Sequence, residues 1–246
     1  MSSPKILFTI GNFSVHLYGV MVLLGFGAGM YVVLKEAERK GFETEKIIDL
    51  VFWLFAAGLA GARALFVILN WDSFRGAPLD ILSVHQGGLA FHGAVLAGIL
   101  VTLLFARRNK WSFAGLGDLL APGLALGYAV GRIGCDIYGN VTAVPWAVVV
   151  GGEPRHPVQL YSALAGFVIF FVLWRRREQL RYNGESLLLI AILYSVSRFF
   201  IEFFRSQVII TPAQYASVLI AVLCFALCAV VGRKNRKILI NKGGVD

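Results

Sequence analysis

Gly88–Ala106, GLAFHGAVLAGILVTLLFA, runs for nineteen residues with no residue that carries a formal charge at neutral pH. A helix crosses the hydrocarbon of a bilayer in about 20 mostly apolar residues, so this stretch predicts a membrane span. Its front overlaps His85–Ala94, HQGGLAFHGA, where a loop becomes that helix. Glycine there permits a left-handed turn and lets another group come close. His92, at the rim of an apolar segment, is placed for proton transfer near neutral pH. A tight turn whose histidine only satisfies backbone groups is the other reading. The remaining charged residues decide between them.

Six more stretches qualify as spans: Ser14–Leu34, Ile47–Asn70, Phe113–Gly134, Val158–Trp174, Ser186–Phe204 and Pro212–Val231. The one from Phe113 is the weakest, since Asp118, Pro122, several glycines and Arg132 interrupt it. Such breaks are tolerated where a helix faces a bundle interior or a cavity. Composition agrees: 58% of residues are hydrophobic and 15% charged, against roughly 25% charged in soluble domains. The expected fold is all-α, a polytopic integral membrane protein with seven transmembrane helices, forming a single membrane-embedded domain over 1–246 with short loops. No basic region precedes a small-residue cleavage site, so no cleaved signal peptide is expected. The three cysteines show no paired spacing and give no disulfide framework.

A net charge of +9 would suit nucleic acid, but the placement of the charges points to topology. Lys35, Arg39, Lys40 and Lys46 follow the first span, Arg107, Arg108 and Lys110 the third, and Arg175, Arg176, Arg177 and Arg181 the fifth. Arg233, Lys234, Arg236, Lys237 and Lys242 form the tail. The opposite side carries Lys5, Arg75, Arg155 and Arg205. The positive-inside rule then puts the N-terminus outside and the C-terminus in the cytoplasm. No nucleic-acid partner is expected.

Three arginines remain inside spans: Arg63, Arg132 and Arg198. Each costs at least about 2.5–3.5 kcal/mol at a helix centre and so needs a partner, a polar cavity or a task. By the same topology they belong to the outer half of the bilayer, with His92 and Tyr18. Tyr194, Arg198, Glu202 and Arg205 follow helical steps of four, four and three and share one face. Glu202 can neutralise Arg198 or Arg205, and Asp136 can pair with Arg132. Asp49 and Asp118, near inner helix ends, read as caps or cytoplasmic-side partners. Positive charge still exceeds the nearby carboxylate. Guanidinium suits phosphate because its fork binds bidentately, and the natural anion at that depth is a phospholipid headgroup.

The chain resembles the prolipoprotein diacylglyceryl transferase family. The motifs that carry the resemblance are Leu17-Tyr18-Gly19, Gly61-Ala62-Arg63, Pro78-Leu79-Asp80-Ile81, Gly87-Gly88-Leu89-Ala90-Phe91-His92-Gly93, Asp118-Leu119-Leu120-Ala121-Pro122, Gly131-Arg132-Ile133-Gly134, Pro145-Trp146-Ala147-Val148, Arg155-His156-Pro157-Val158-Gln159-Leu160-Tyr161 and Arg198-Phe199-Phe200-Ile201-Glu202-Phe203-Phe204-Arg205. The resemblance implies a multi-pass enzyme of the bacterial inner membrane, with its active site in the outer-leaflet half. It would move the diacylglyceryl group of phosphatidylglycerol onto the cysteine thiol of a prolipoprotein signal peptide, forming a thioether and releasing glycerol phosphate. Neither cofactor nor metal is expected. His92, Arg132 and Arg198 are the expected catalytic residues. Tyr18, Arg63, Tyr194, Glu202, Gly93 and Gly139 are the expected substrate-binding ones. His92 is the candidate base for the thiol. In the competing assignment an arginine-bound phosphate oxygen takes the proton and His92 only positions.

The sequence also departs from the family. Cys135-Asp136-Ile137-Tyr138-Gly139-Asn140-Val141-Thr142 is about four residues shorter than the family's loop and lacks a clear counterpart of its acidic residue. His85 stands where a tryptophan is common. The alternatives are therefore a divergent relative with another acceptor, and a phospholipid-binding or transport protein without chemistry. A rhodopsin-like protein is disfavoured, because the seventh span has no lysine for a Schiff base.

Overall fold

The computed structural model describes residues 6–10, 13–76, 78–82, 87–207 and 210–242. His85 and Lys5 lie outside the described residues. The helices are α1 (Leu17–Lys40), α2 (Thr44–Leu69), α3 (Trp71–Phe74), α4 (Phe91–Asn109), α5 (Phe113–Ile133), α6 (Val158–Arg176), α7 (Glu185–Arg205) and α8 (Pro212–Lys242), with a 3-10 turn over Pro78–Leu82. Seven of these, all but the one-turn α3, are long and apolar enough to cross a membrane. Two small antiparallel hairpins accompany them: β1 (Ile6–Ile10) with β2 (Phe13–His16), and β3 (Val148–Val150) with β4 (Glu153–Arg155).

The chain divides into two compact units, Met1–Val33 with Gly117–Asp246, and Leu34–Leu116. In the first, α5 is the most buried of the seven spans, although its sequence is the most interrupted. The interruptions explain the burial. Between helices in lipid there is little hydrophobic driving force, so small residues that let backbones approach supply the packing. A Cβ on Gly25 would lie 2.6 Å from the Gly127 carbonyl oxygen, and one on Gly29 would lie 2.7 Å from that of Gly123. On another side of α5, a Cβ on Gly166 would come within 2.9 Å of the Ala129 methyl. Ala121, Ala125, Ile169 and Leu173 form a buried cluster, with Phe170, Leu189, Ile190, Leu193 and Tyr194 packed on it. Asp118, buried on α5, accepts hydrogen bonds from the backbone N–H groups of Gly184 (2.6 Å) and Leu187 (3.1 Å). It thereby satisfies orphan donors at the start of α7. Tyr182, between α6 and α7, has its hydroxyl 2.8 Å from Cys228 Sγ. Burial, with that thiol second, pushes its pKa up.

In the second unit α2 crosses α4 where glycine faces glycine. A Cβ on Gly61 would meet the Gly93 carbonyl at 2.6 Å, and one on Gly93 would strike the Gly61 backbone. The Ala90 N–H donates to the Ala62 carbonyl at 3.0 Å, which ties the start of α4 to α2. Trp111 closes the other end, edge-on to Phe42 with ring centres 4.9 Å apart.

The helices run past the hydropathy boundaries, chiefly at their basic ends. α1 continues to Lys40, where buried Glu36 pairs with Arg39 and, at 3.8 Å, with Lys40. α6 ends on Arg176, and α8 reaches Lys242. At the other end of α1, Phe13–His16 is strand rather than helix, so the helix begins at Leu17.

Candidate active site

Arg132 lies in the last turn of α5. Its Nη1 is 3.4 Å from Cys135 Sγ, and its Nη2 donates to Ser162 Oγ at 3.4 Å. Both contacts are long and neutral. The guanidinium carbon stands 5.6 Å from the centre of the Tyr128 ring, one helical turn back. Its Nε is buried and has no hydrogen-bond partner among the described residues. The pairing of Arg132 with Asp136 that the sequence suggests is not among the ion pairs of the described residues. A buried charged donor without a partner is costly, and native structures rarely keep one without a use.

Tyr128 packs edge-on against Tyr194 of α7, with ring centres 5.4 Å apart. One turn along α7, Arg198 Nη1 is 2.6 Å from Glu202 Oε2, and Arg205 Nη1 is 3.6 Å from the same oxygen. Glu202 is 6% exposed. The Arg198–Glu202 contact is ionic, without the angles of a hydrogen bond. On α7, Arg198 and Arg205 thus flank a single buried carboxylate, and that group carries net positive charge; Arg132 is linked to α7 through the Tyr128–Tyr194 ring contact. Tyr18, near the start of α1 in the same unit, is 53% exposed.

Gly139 is buried for a backbone reason. A Cβ there would collide with the Phe204 carbonyl and lie 2.7 Å from a Val158 methyl. Its N–H donates to the His156 carbonyl at 2.8 Å, and the N–H of Asn140 donates to the Phe204 carbonyl at 2.8 Å. Thr142 N–H reaches the Pro154 carbonyl at 2.9 Å, and Val141 bridges Arg155. The segment from Gly139 to Thr142 thus runs extended beside β4 and caps an orphan carbonyl in the last turn of α7. Beside it, Trp146 donates to the Tyr161 hydroxyl at 2.8 Å, which is 3.1 Å from His156 Nδ1.

In the second unit, His92 is exposed in the first turn of α4, its ring edge-on to Phe91. Buried Gly93 makes the α2 crossing described above. Arg63, on α2, is 7% exposed and hydrogen-bonded to backbone carbonyl groups. Nε donates to the Ile81 carbonyl (2.8 Å), Nη1 to those of Gly87 (2.7 Å) and Gly88 (3.1 Å), and Nη2 to that of Asp80 (2.5 Å). Phe74 and Phe66 flank it at 5.2 and 5.8 Å. Four bonds occupy most of its five donors. Gly88 takes a positive φ of 75° beneath it, where a Cβ would lie 2.9 Å from Nη1.

The sequence pattern did not single out Tyr128 or Ser162, and Gln159 stood inside a motif without being given a role. Tyr128 stands four residues before Arg132, and Ser162 lies on a separate helix whose approach to Arg132 emerges only in three dimensions. Among the described residues, no group of three or more His, Cys, Asp or Glu is arranged to hold a metal ion.

The model of the family described as prolipoprotein diacylglyceryl transferase matches residues 5–230. A phosphatidylglycerol–prolipoprotein diacylglyceryl transferase of Vibrio cholerae is 39% identical over 212 residues, covering 81% of this chain and 78% of that protein. The enzyme of the same name from Pseudoalteromonas atlantica is 36% identical over 209 residues, covering 81% and 75%. The one from Finegoldia magna is 29% identical over 241 residues, covering 96% and 97%. With seven apolar helices, an arginine cluster exceeding its acid, and a family match over nearly its whole length, this chain belongs to the prolipoprotein diacylglyceryl transferase family, a family of membrane transferases.

Proposed function

We propose that the chain transfers the diacylglyceryl group of phosphatidylglycerol to the cysteine thiol of a prolipoprotein signal peptide. The observation that carries this reading is Arg132, a guanidinium in an apolar helix with an unused buried donor and only long, neutral contacts. A phosphodiester supplies the missing acceptor. In this reading Arg132 and Arg198 hold the phosphate, Glu202 orients Arg198, and Tyr194 and Tyr18 donate hydrogen bonds. His92 takes the thiol proton. The thiolate attacks the glyceryl carbon that bears the phosphate ester. That C–O bond breaks, and its electron pair leaves with glycerol phosphate. The arginines stabilise the charge that develops on the departing oxygen. Arg63, with its donors on carbonyl groups, fastens the segment leading to α4.

The basic ends of the helices support an N-terminus outside and a C-terminus in the cytoplasm, and with them a site in the outer-leaflet half of a bacterial inner membrane. The test is purified protein in phosphatidylglycerol micelles with a peptide carrying the acceptor cysteine. A thioether-linked product with one glycerol phosphate released per turnover is expected, and its absence refutes the activity. His92→Ala should lower turnover about 10²–10⁴-fold with folding intact, as loss of a general base does. Unchanged turnover would remove His92 from the chemistry.

A further inference from the structure

A second buried polar atom in the first unit is left without a hydrogen-bond partner among the described residues. Gln159, in the first turn of α6, is 6% exposed, and its Oε1 is buried without a hydrogen-bond partner among the described residues. One turn further on, Ser162 Oγ accepts from Arg132 Nη2 and gives its own hydrogen to the Val158 carbonyl at 2.7 Å. The Ser162 hydrogen is therefore committed and cannot satisfy Gln159. Residues three apart share a helix face, so Gln159 lies on the side of α6 that meets Arg132. Arg132 thus has one unsatisfied donor, Nε, and Gln159, one turn from Arg132's partner Ser162, has one unsatisfied acceptor, Oε1.

We infer that Gln159 is a specificity-determining residue that accepts a hydrogen bond from a free hydroxyl on the alcohol esterified to the bound phosphate. The inference rests on the reading of Arg132 as the phosphate ligand. A phosphate oxygen fills the donor, and a hydroxyl a few bonds away fills the acceptor. Phosphoglycerol carries both groups on one fragment. An aminoalcohol headgroup offers hydrogen-bond donors too, but brings a positive charge toward Arg132 and Arg198. A simple alkyl phosphodiester satisfies the arginine and leaves the amide oxygen buried and unpaired. Sites built to bond a substrate hydroxyl reject analogues that lack it far more strongly than apolar pockets reject a missing methylene.

The experiment compares phosphatidylglycerol with phosphatidylpropanol as diacylglyceryl donor to one acceptor peptide. The two have the same anionic phosphodiester and nearly the same headgroup size, and the second has no hydroxyl. Wild-type protein should show kcat/KM higher for phosphatidylglycerol by about tenfold or more. Gln159→Met, close in shape and without the acceptor, should bring that ratio near one. Gln159→Glu, which keeps an acceptor oxygen, should preserve a preference for the hydroxyl-bearing donor. Equal use of the two donors by wild type overturns the inference without any variant. So does a Gln159→Met protein that slows on both equally, since that marks a role in folding alone. If wild type uses neither donor, the proposed activity fails instead, and the two failures are told apart.

Discussion

Arg63 and Arg132 pose the same problem, a guanidinium inside an apolar helix, and the two units of the molecule meet it differently. Around Arg63 the chain folds back so that carbonyl oxygens of Asp80, Ile81, Gly87 and Gly88 accept its hydrogens, and two phenyl rings cover its faces. Around Arg132 the chain supplies a thiol, a hydroxyl and a tyrosine ring, and leaves Nε without an acceptor among the described residues. The first charge is consumed by the fold. The second keeps a buried donor open, which in the proposed function is filled by the substrate phosphate. Intramembrane arginine is thus not one kind of residue, and its partners rather than its depth separate a fastener from a ligand-binding group.

Substitutions at three residues press on that distinction. The largest effect is expected for Arg132→Ala, which should reduce turnover about 10²–10³-fold, as loss of one donor to a developing anion does. Its melting temperature should stay within a few degrees of wild type. A protein that unfolds instead would make Arg132 structural, like Arg63. Arg63→Met should behave the opposite way. Hydrogen bonds to a charged group are worth about 1.5–3 kcal/mol where buried and less where exposed, as at Asp80 and Gly87, so chemical unfolding should report a loss of a few kcal/mol. If stability held while turnover collapsed, Arg63 would belong with the phosphate ligands.

The lysine variants sharpen the contrast further. Lysine keeps the charge but not the planar fork. Arg132→Lys should therefore retain phosphate attraction and lose about tenfold in kcat/KM. Arg63→Lys, unable to reach carbonyls on several sides at once, should be nearly as unstable as the methionine variant. The smallest effect belongs to Tyr128→Leu. It removes a cation–π contact of about 0.5–2 kcal/mol, and a severalfold rise in KM with folding intact is the expected readout. Identical KM values would leave the ring without a part in holding Arg132.

The spans were legible because about twenty apolar residues in a row are long enough to cross the hydrocarbon and too apolar to be left in water. Their ends were less so, since hydropathy measures the apolar length of a helix and not the helix. The Glu36, Arg39 and Lys40 pairs carry α1 beyond its apolar part. The β-hairpins were not legible, because Ile6–Ile10 and Val148–Val150 are too short to separate from the flanks of a span. The α7 face was readable by spacing alone, and the Arg198–Glu202 pair forms as that spacing requires. The surroundings of Arg63 were hidden for a chemical reason. Its partners are carbonyl groups, which every residue carries and no sequence pattern marks. Gly139 was visible as a glycine, but the Phe204 carbonyl that forbids a side chain there comes from a helix end more than sixty positions on.

The paired glycines of α1 and α5 also restrict traffic. Where Gly25 faces Gly127 and Gly29 faces Gly123, there is no room even for a methyl group between the two backbones. An acyl chain cannot slip through that seam from the surrounding lipid, so along those turns the first unit has a sealed wall. In the proposed function, a lipid bound for Arg132 enters the first unit elsewhere than between these two helices.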